Sequence, residues 1–499
     1  MCCYGFDAFS ALGDHVIRLF SRHGSLFEAS ITFCKVIDPS MYTWNAIMSS
    51  YIKHGEYATT IHLYDVMQEE GDVQPNKYIF SSIFKAFGSL KVKRKGQVLH
   101  SKMVKIGHDL DEYIRSAMID MYTNCGCLNE ANDVLNALRT QDVVSWNALI
   151  VGYIQNGHDV LALKLYEEMN NANINPTKVT LSSILKACSS IAAIQEGMCI
   201  HDFIIKSELE MDVIVGGSIV NMYAKCGTLI EAMSLFNSYS CIRTRVNWNA
   251  LLVGCVQHEH NDLAFELYEK MQEEGISPDN ISFGCMLGAC SHYGQLAWGR
   301  IIHDAIVRNG FNSHMTIGST LIELYVNYGA LSEAHKVFDE LPDPSLCSWC
   351  VLIRGYTLHG HNEVALELFK EMHAMGLEAD KQMFLCTIQA CGNKKSIEQG
   401  RLLHCHIVQS GLDLDIDVGT TLISMYANCG DFSTSHIVLQ SLPKHDLISQ
   451  SALICAYVGQ GHFVHALQAY EEFSQSDINI MLDEVTCSHM VKACTEVGA

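Results

Sequence analysis

Four tryptophans set the period of this chain. Trp44, Trp146, Trp248 and Trp349 lie 102, 102 and 101 residues apart, in the contexts TWNAIMSSYIKHG, SWNALIVGYIQNG, NWNALLVGCVQHE and SWCVLIRGYTLHG. A fifth copy, SQSALICAYVGQG, puts Gln450 where the tryptophan would stand. Two further families keep the same period: SSIFKAFGSL, SSILKACSSI, GCMLGACSHY, CTIQACGNKK and SHMVKACTEV, then SAMIDMYTNCG, GSIVNMYAKCG, STLIELYVNYG and TTLISMYANCG. Self-similarity at a fixed period constrains the fold more than any composition does. Each copy is one supersecondary unit that buries its apolar face on the next.

Laid end to end, the three families tile the chain without remainder. Repeats start at residues 10, 41, 77, 112, 143, 178, 213, 245, 280, 315, 346, 381, 416, 447 and 484, with lengths of 31 to 37 residues and a 16-residue stub. Residues 1–9 are an N-terminal extension and 10–499 a single array of about 14 repeats plus a partial one. Each repeat reads as two helices. In the fifth, Trp146, Leu149, Ile150 and Tyr153 form one stripe at helical spacing, and Ala162, Leu165, Tyr166 and Met169 a second. Gly157 stands between them as a helix-terminating residue, and Pro176 is next to last in the repeat. The seven prolines all fall near repeat ends: Pro39, Pro75, Pro176, Pro278 and Pro344 are penultimate, and Pro342 and Pro443 lie within the last four residues. Such hairpins stack into an all-α solenoid of either hand with a long inner surface.

Composition narrows the class. With 48% hydrophobic and 18% charged residues the chain is not a disordered one. No window approaches 18 uninterrupted apolar residues, so no membrane span is expected. The 21 cysteines are too dilute for a disulfide scaffold, and free buried thiols are expected. The net charge is −22, from 33 basic and 55 acidic residues, which excludes gripping nucleic acid by bulk attraction.

The repeats resemble pentatricopeptide repeats of the plant PLS subclass, in which P, L and S motifs alternate. The resemblance covers residues 10–499 and is carried by VSWNALIVGYIQNG, ALKLYEEM and INP in P repeats, LSSILKACSSIAAIQEGMCIH in L repeats and VNMYAKCGTLIEAMSLF in S repeats. The rival tetratricopeptide repeat holds a steady period of about 34 residues. The resemblance implies a right-handed superhelical α-solenoid that binds single-stranded organellar RNA, about one nucleotide per repeat, with no cofactor and no catalysis of its own. It also implies a base-reading pair in each repeat: the fifth residue, one step past the tryptophan and rotated off the buried stripe, and the last residue.

At the fifth position nine of fourteen residues are Asn, Ser or Thr, and at the last position eight of fourteen are Asp. The resemblance then assigns Asn249 with Asp279 to uridine. It assigns Ser116 with Asp142, Thr420 with Asp446 and Ser451 with Asp483 to guanosine. Asn45 with Asn76 and Asn147 with Thr177 go to a pyrimidine, and Ser319 with Ser345 to a purine. The L-repeat pairs Ser81 with Asp111 and Ser182 with Asp212 stay unassigned, and Gly217, Gly284, Cys350 and Leu385 depart from the pattern. The expected site reads n-Y-n-G-Y-n-n-U-n-R-n-n-G-G.

Other constellations have plainer readings. Cys347 and Cys350 form a lone CxxC without a second ligand pair, and His361 with Glu363 lacks the cysteines of a zinc deaminase. His100, His201, His303 and His404 recur in L repeats about a hundred residues apart, which suits inter-helix packing. Lys91, Lys93, Arg94 and Lys95 form one basic run, read as a solvated turn. Chains of the subclass commonly continue into E motifs and a DYW deaminase domain. Here the sequence stops inside an L repeat, which implies truncation, or a deaminase-domain or editing-complex partner in trans. No Arg- and Ser-rich leader is visible, so a mitochondrial or chloroplast location follows from the resemblance alone. The alternative function is an α-solenoid scaffold for proteins, without RNA.

Overall fold

The computed structural model describes residues 10–71, 73–106, 111–137, 142–207, 213–293, 296–442, 447–475 and 484–497. Among these stand 29 α-helices and a 3-10 turn at Ser240–Ile242, with no strand. All fifteen repeat starts read from the sequence coincide with the first residue of a helix, from Ser10 and Met41 to Leu447 and Glu484. The fifth repeat shows why. Its first helix, Val143–Gln155, begins where the Asp142 side chain accepts the Ser145 N–H. It ends at Gly157, whose φ of 76° is the left-handed conformation that closes a helix without steric penalty. The second helix, Asp159–Asn171, buries Ala162, Leu165, Tyr166 and Met169 as the stripe requires.

Residues 1–258 and 259–499 form two compact bodies. Within each, the first helix of a repeat packs on the first helix of the next. The second helix lies against its own first helix and the first helix of the following repeat. Each body is thus two layers, one of first helices and one of second helices.

At the joints before the second, fifth, eighth and eleventh repeats, the buried tryptophan fills the space. Trp44, Trp248 and Trp349 meet Phe33, Phe236 and Phe338 edge to face, with ring centroids 4.8, 4.7 and 4.6 Å apart. At the joints before the fourth, seventh, tenth and thirteenth repeats, the recurring histidine hydrogen-bonds a tyrosine. His100, His201, His303 and His404 Nδ1 lie 2.8, 2.9, 2.8 and 2.9 Å from the hydroxyls of Tyr122, Tyr223, Tyr325 and Tyr426. One turn earlier, Gly197 and Gly400 leave room for the tips of Met222 and Met425.

These histidines give a pH prediction. Burial pushes His201, His303 and His404 below the ordinary histidine range, although Asp202 beside His201, Glu340 and Asp304 beside His303, and Asp413 beside His404 act the other way. A histidine that is harder to protonate when folded takes up protons on unfolding. Its stabilisation is therefore present above the unfolded value of about 6.5 and is lost as pH falls through and below it. The apparent melting temperature should drop between pH 7 and pH 5, ahead of the carboxylate pairs. Replacing the three histidines with glutamine should flatten that part of the profile. A wild-type melting temperature unchanged over this interval would refute the assignment.

Candidate nucleic-acid interface

The last residue of a repeat is the N-cap of the next repeat's first helix. Ser40, Asn76, Asp111, Asp142, Thr177, Thr244, Ser345, Asp380 and Asp415 each accept a backbone N–H of the first turn through the side chain. Asp279 accepts from Ile281 and Ser282. His314 alone among the described last residues makes no such bond. Helix capping favours Ser, Thr, Asn and Asp, and the helix dipole favours a carboxylate. The concentration of Asp at this phase therefore has a structural cause that needs no ligand. Asp212, Asp446 and Asp483 lie outside the described residues.

The fifth residue stands on the second turn of the first helix. Asn45, Ser116, Asn147, Ser319 and Thr420 are half-buried, whereas Asn249 and Ser451 are buried, at 5% and 7% exposure. Stacking brings described fifth and last residues of one repeat together in the fifth and tenth repeats. The Asn147 Nδ2 donates to Thr177 Oγ1 at 3.2 Å, and the Ser319 and Ser345 hydroxyls lie 3.5 Å apart. Ser116 instead donates to its own helix at Tyr113 O, and Asp142 is taken up by Arg115 at 3.4 Å and by the Ser145 hydroxyl at 2.8 Å. Arg115 is buried, at 3% exposure. Asn45 accepts from Ser49 at 3.4 Å, while Asn76 accepts the Tyr78 and Ile79 N–H groups.

Two repeats hold a lysine against their last residue. Lys77 opens one, and its Nζ lies 3.3 Å from the Asp111 carboxylate that closes it. Lys381 likewise lies 2.9 Å from the Asp415 carboxylate and 2.6 Å from Asp417. The lysine holds the Asp415 carboxyl below its ordinary range. The last-position Asp of these repeats already has an intramolecular cation as partner.

Sequence reasoning missed two recurrent positions. The second residue of the repeat is apolar and exposed in nine cases: Tyr42, Tyr78, Tyr113, Val144, Val179, Ile214, Val246, Ile281 and Ile448. Its signal is an apolar residue recurring at a phase off the buried stripe. The Tyr78 and Tyr113 rings, from adjacent repeats, lie 5.9 Å apart, with the Lys77 ammonium 4.9 Å from the Tyr113 centroid. The third residue is a buried hydroxyl or amide at most junctions: Thr43, Ser145, Thr180, Asn247, Ser282, Ser348, Ser449 and Thr486. Its signal is a polar residue two places after the helix start, which precedes the tryptophan in four of the eight.

Cys347 is exposed on the first turn of the helix Leu346–Leu358. In the basic run, Lys93 pairs with Glu130 at 2.8 Å and Lys95 with Asp65 at 3.3 Å. No described helix is long and apolar enough to cross a membrane.

Comparison with known proteins agrees with the repeat pattern. The profile of the PPR repeat family matches residues 141–190 and 243–292, and that of the PPR repeat matches 42–72, 114–143, 217–238 and 347–377. The pentatricopeptide repeat-containing protein At1g11290, chloroplastic, of Arabidopsis thaliana is 29% identical over 97% of this chain and 59% of its own length. The corresponding protein At3g02330, mitochondrial, is 28% identical over 99% of this chain and 56% of its own length. The chain thus spans somewhat over half the length of these relatives. The crystal structure of the pentatricopeptide repeat protein PPR10 from maize superposes with a TM-score of 0.57 at 16% identity, covering 97% of this chain and 81% of that one. The same protein in complex with an 18-nt psaJ RNA element gives 0.56 at 15% identity, with 98% and 82% covered. At these identities the likeness establishes the fold, an α-solenoid of stacked helical hairpins.

Proposed function

We propose that the chain, whose repeats are similar to pentatricopeptide repeats, is a sequence-specific single-stranded RNA-binding protein of a plant mitochondrion or chloroplast. It acts as the site-recognition factor for cytidine-to-uridine editing or another RNA-processing step, its repeats alternate as P, L and S, and it positions RNA without catalysis. A deaminase-domain or editing-complex protein supplies the chemistry in trans. The observation that supports this reading is the meeting of fifth and last residues at Asn147 and Thr177 and at Ser319 and Ser345, the first of them in a repeat whose second residue, Val144, is apolar and exposed. That arrangement offers a hydrogen-bonding edge next to a surface on which an unstacked base can rest. PPR10, which shares the fold, is bound to RNA in its complex.

The net charge of −22 favours the second reading, a scaffold for proteins. The two are separated by ultraviolet crosslinking of the chain in plant organelle extract. Covalently attached RNA with a shared sequence is the expected product, and recovery of partner proteins without RNA would establish the scaffold instead.

A further inference from the structure

The hydrogen-bonding group that a repeat offers to a ligand is fixed by the repeat that follows it. Asn147 is held from two sides, by the last residue of its own repeat and by the third residue of the sixth. The Thr180 hydroxyl donates to Asn147 Oδ1 at 2.6 Å, and Asn147 Nδ2 donates to Thr177 Oγ1 at 3.2 Å. Thr180 Oγ1 also accepts the Thr177 N–H at 2.9 Å. That bond takes one of its two lone pairs and leaves its single proton for Asn147. The amide of Asn147 is thus held at both ends, Oδ1 by Thr180 and Nδ2 by Thr177, and its second N–H remains for a ligand acceptor.

The same contact recurs in the C-terminal body. Ser348 Oγ lies 2.7 Å from Ser319 Oγ, and Ser449 Oγ lies 3.1 Å from Thr420 Oγ1. Both fifth residues already donate to their own helix, at Met315 O and Ile416 O, so the third-residue hydroxyl donates to them and leaves one lone pair outward. Where an S repeat follows an L repeat, the third residue is Ile114, Val215, Ile317 or Val418 and has no donor. Ser182, on such an L repeat, turns its hydroxyl onto Val179 O. Gly217 shows the limiting case. Asn247, third in the next repeat, puts its Oδ1 2.6 Å from where a Cβ would stand and so fills the vacated place itself.

We infer that the third residue of each following repeat is a positioning residue for base choice, and that Thr180 sets which face of Asn147 meets the base. This rests on the RNA-reading function proposed above. It makes base choice depend on three side chains from two repeats. It also accounts for weak reading by L repeats through a missing donor as well as a neutralised Asp.

The test uses the full chain and RNAs carrying the proposed site, with cytidine, uridine, adenosine, guanosine or an abasic ribose opposite the fifth repeat. Thr180→Val should reduce pyrimidine-over-purine discrimination at that nucleotide by about five- to tenfold, the worth of one hydrogen bond. Affinity for the abasic RNA should stay unchanged, and Thr180→Ser should restore discrimination. Discrimination that survives in Thr180→Val would overturn the inference alone. An equal loss of affinity for all five RNAs would overturn it in favour of a capping role. Failure of the wild-type chain to bind any of them would overturn the function and this inference together.

Discussion

Trp248→Ala is expected to lower the stability of the N-terminal body by roughly 3–5 kcal/mol. Trp248 is completely buried and lies edge to face against Phe236, 4.7 Å between centroids. Its indole Nε1 has no hydrogen-bond partner among the described residues, so its contribution is packing alone. Truncation opens a cavity at the joint between the seventh and eighth repeats, and in a stacked array each joint is held only by its neighbours. Denaturant unfolding followed by hydrogen exchange should show the loss spreading outward from residues 213–273. Trp248→Phe, which keeps an aromatic edge, should recover most of it. A Trp248→Ala chain with wild-type unfolding would mean that the tryptophan period marks something other than the joint.

A second large effect is expected at Gly254, where the chain tolerates no side chain. A Cβ there would stand 2.7 Å from Ala224 O and 2.8 Å from Ala224 Cβ. The first of these is helical backbone and cannot swing aside. Gly254→Ala should cost about 3 kcal/mol, the upper end of ordinary overpacking, and Gly254→Leu should abolish the docking of the eighth repeat. Gly284 is the contrast, because nothing lies within 4 Å of its Cβ position. There the same change inside a helix should stabilise by about 0.5–1 kcal/mol. Opposite signs for one substitution at two helical glycines would be read directly from the two unfolding midpoints. Equal signs would contradict the packing described.

The fifteen helix starts were legible because capping residues and apolar stripes act locally. Asp142, Trp146 and Gly157 each do their work within one turn of their own position. The roles of Gly254, Thr180 and Lys381 were not legible. Each depends on what a neighbouring repeat brings alongside, and periodicity alone does not specify that. The candidate site shows the same division. Its phase was visible in the sequence, but the recurrence of Asp at the last position had looked like base reading. Ten of the eleven described residues at that phase cap a helix, which explains the chemistry of the position without RNA. The contact of fifth and last residues across a repeat is a separate feature, which capping does not require. Part of the acidic balance now has a structural place as well, since Asp111 and Asp415 close the third and twelfth repeats against lysines.

The most direct measurement is selection from a pool of random single-stranded RNA with the full chain, followed by sequencing of the bound fraction. The account predicts one register in which pyrimidines are enriched at the second and fifth nucleotides, guanosine at the fourth and uridine at the eighth. It also predicts that Asn249→Thr moves the eighth position toward guanosine and no other. A bound pool with no shared sequence, or an enriched motif that Asn249→Thr leaves untouched at the eighth position, would contradict it.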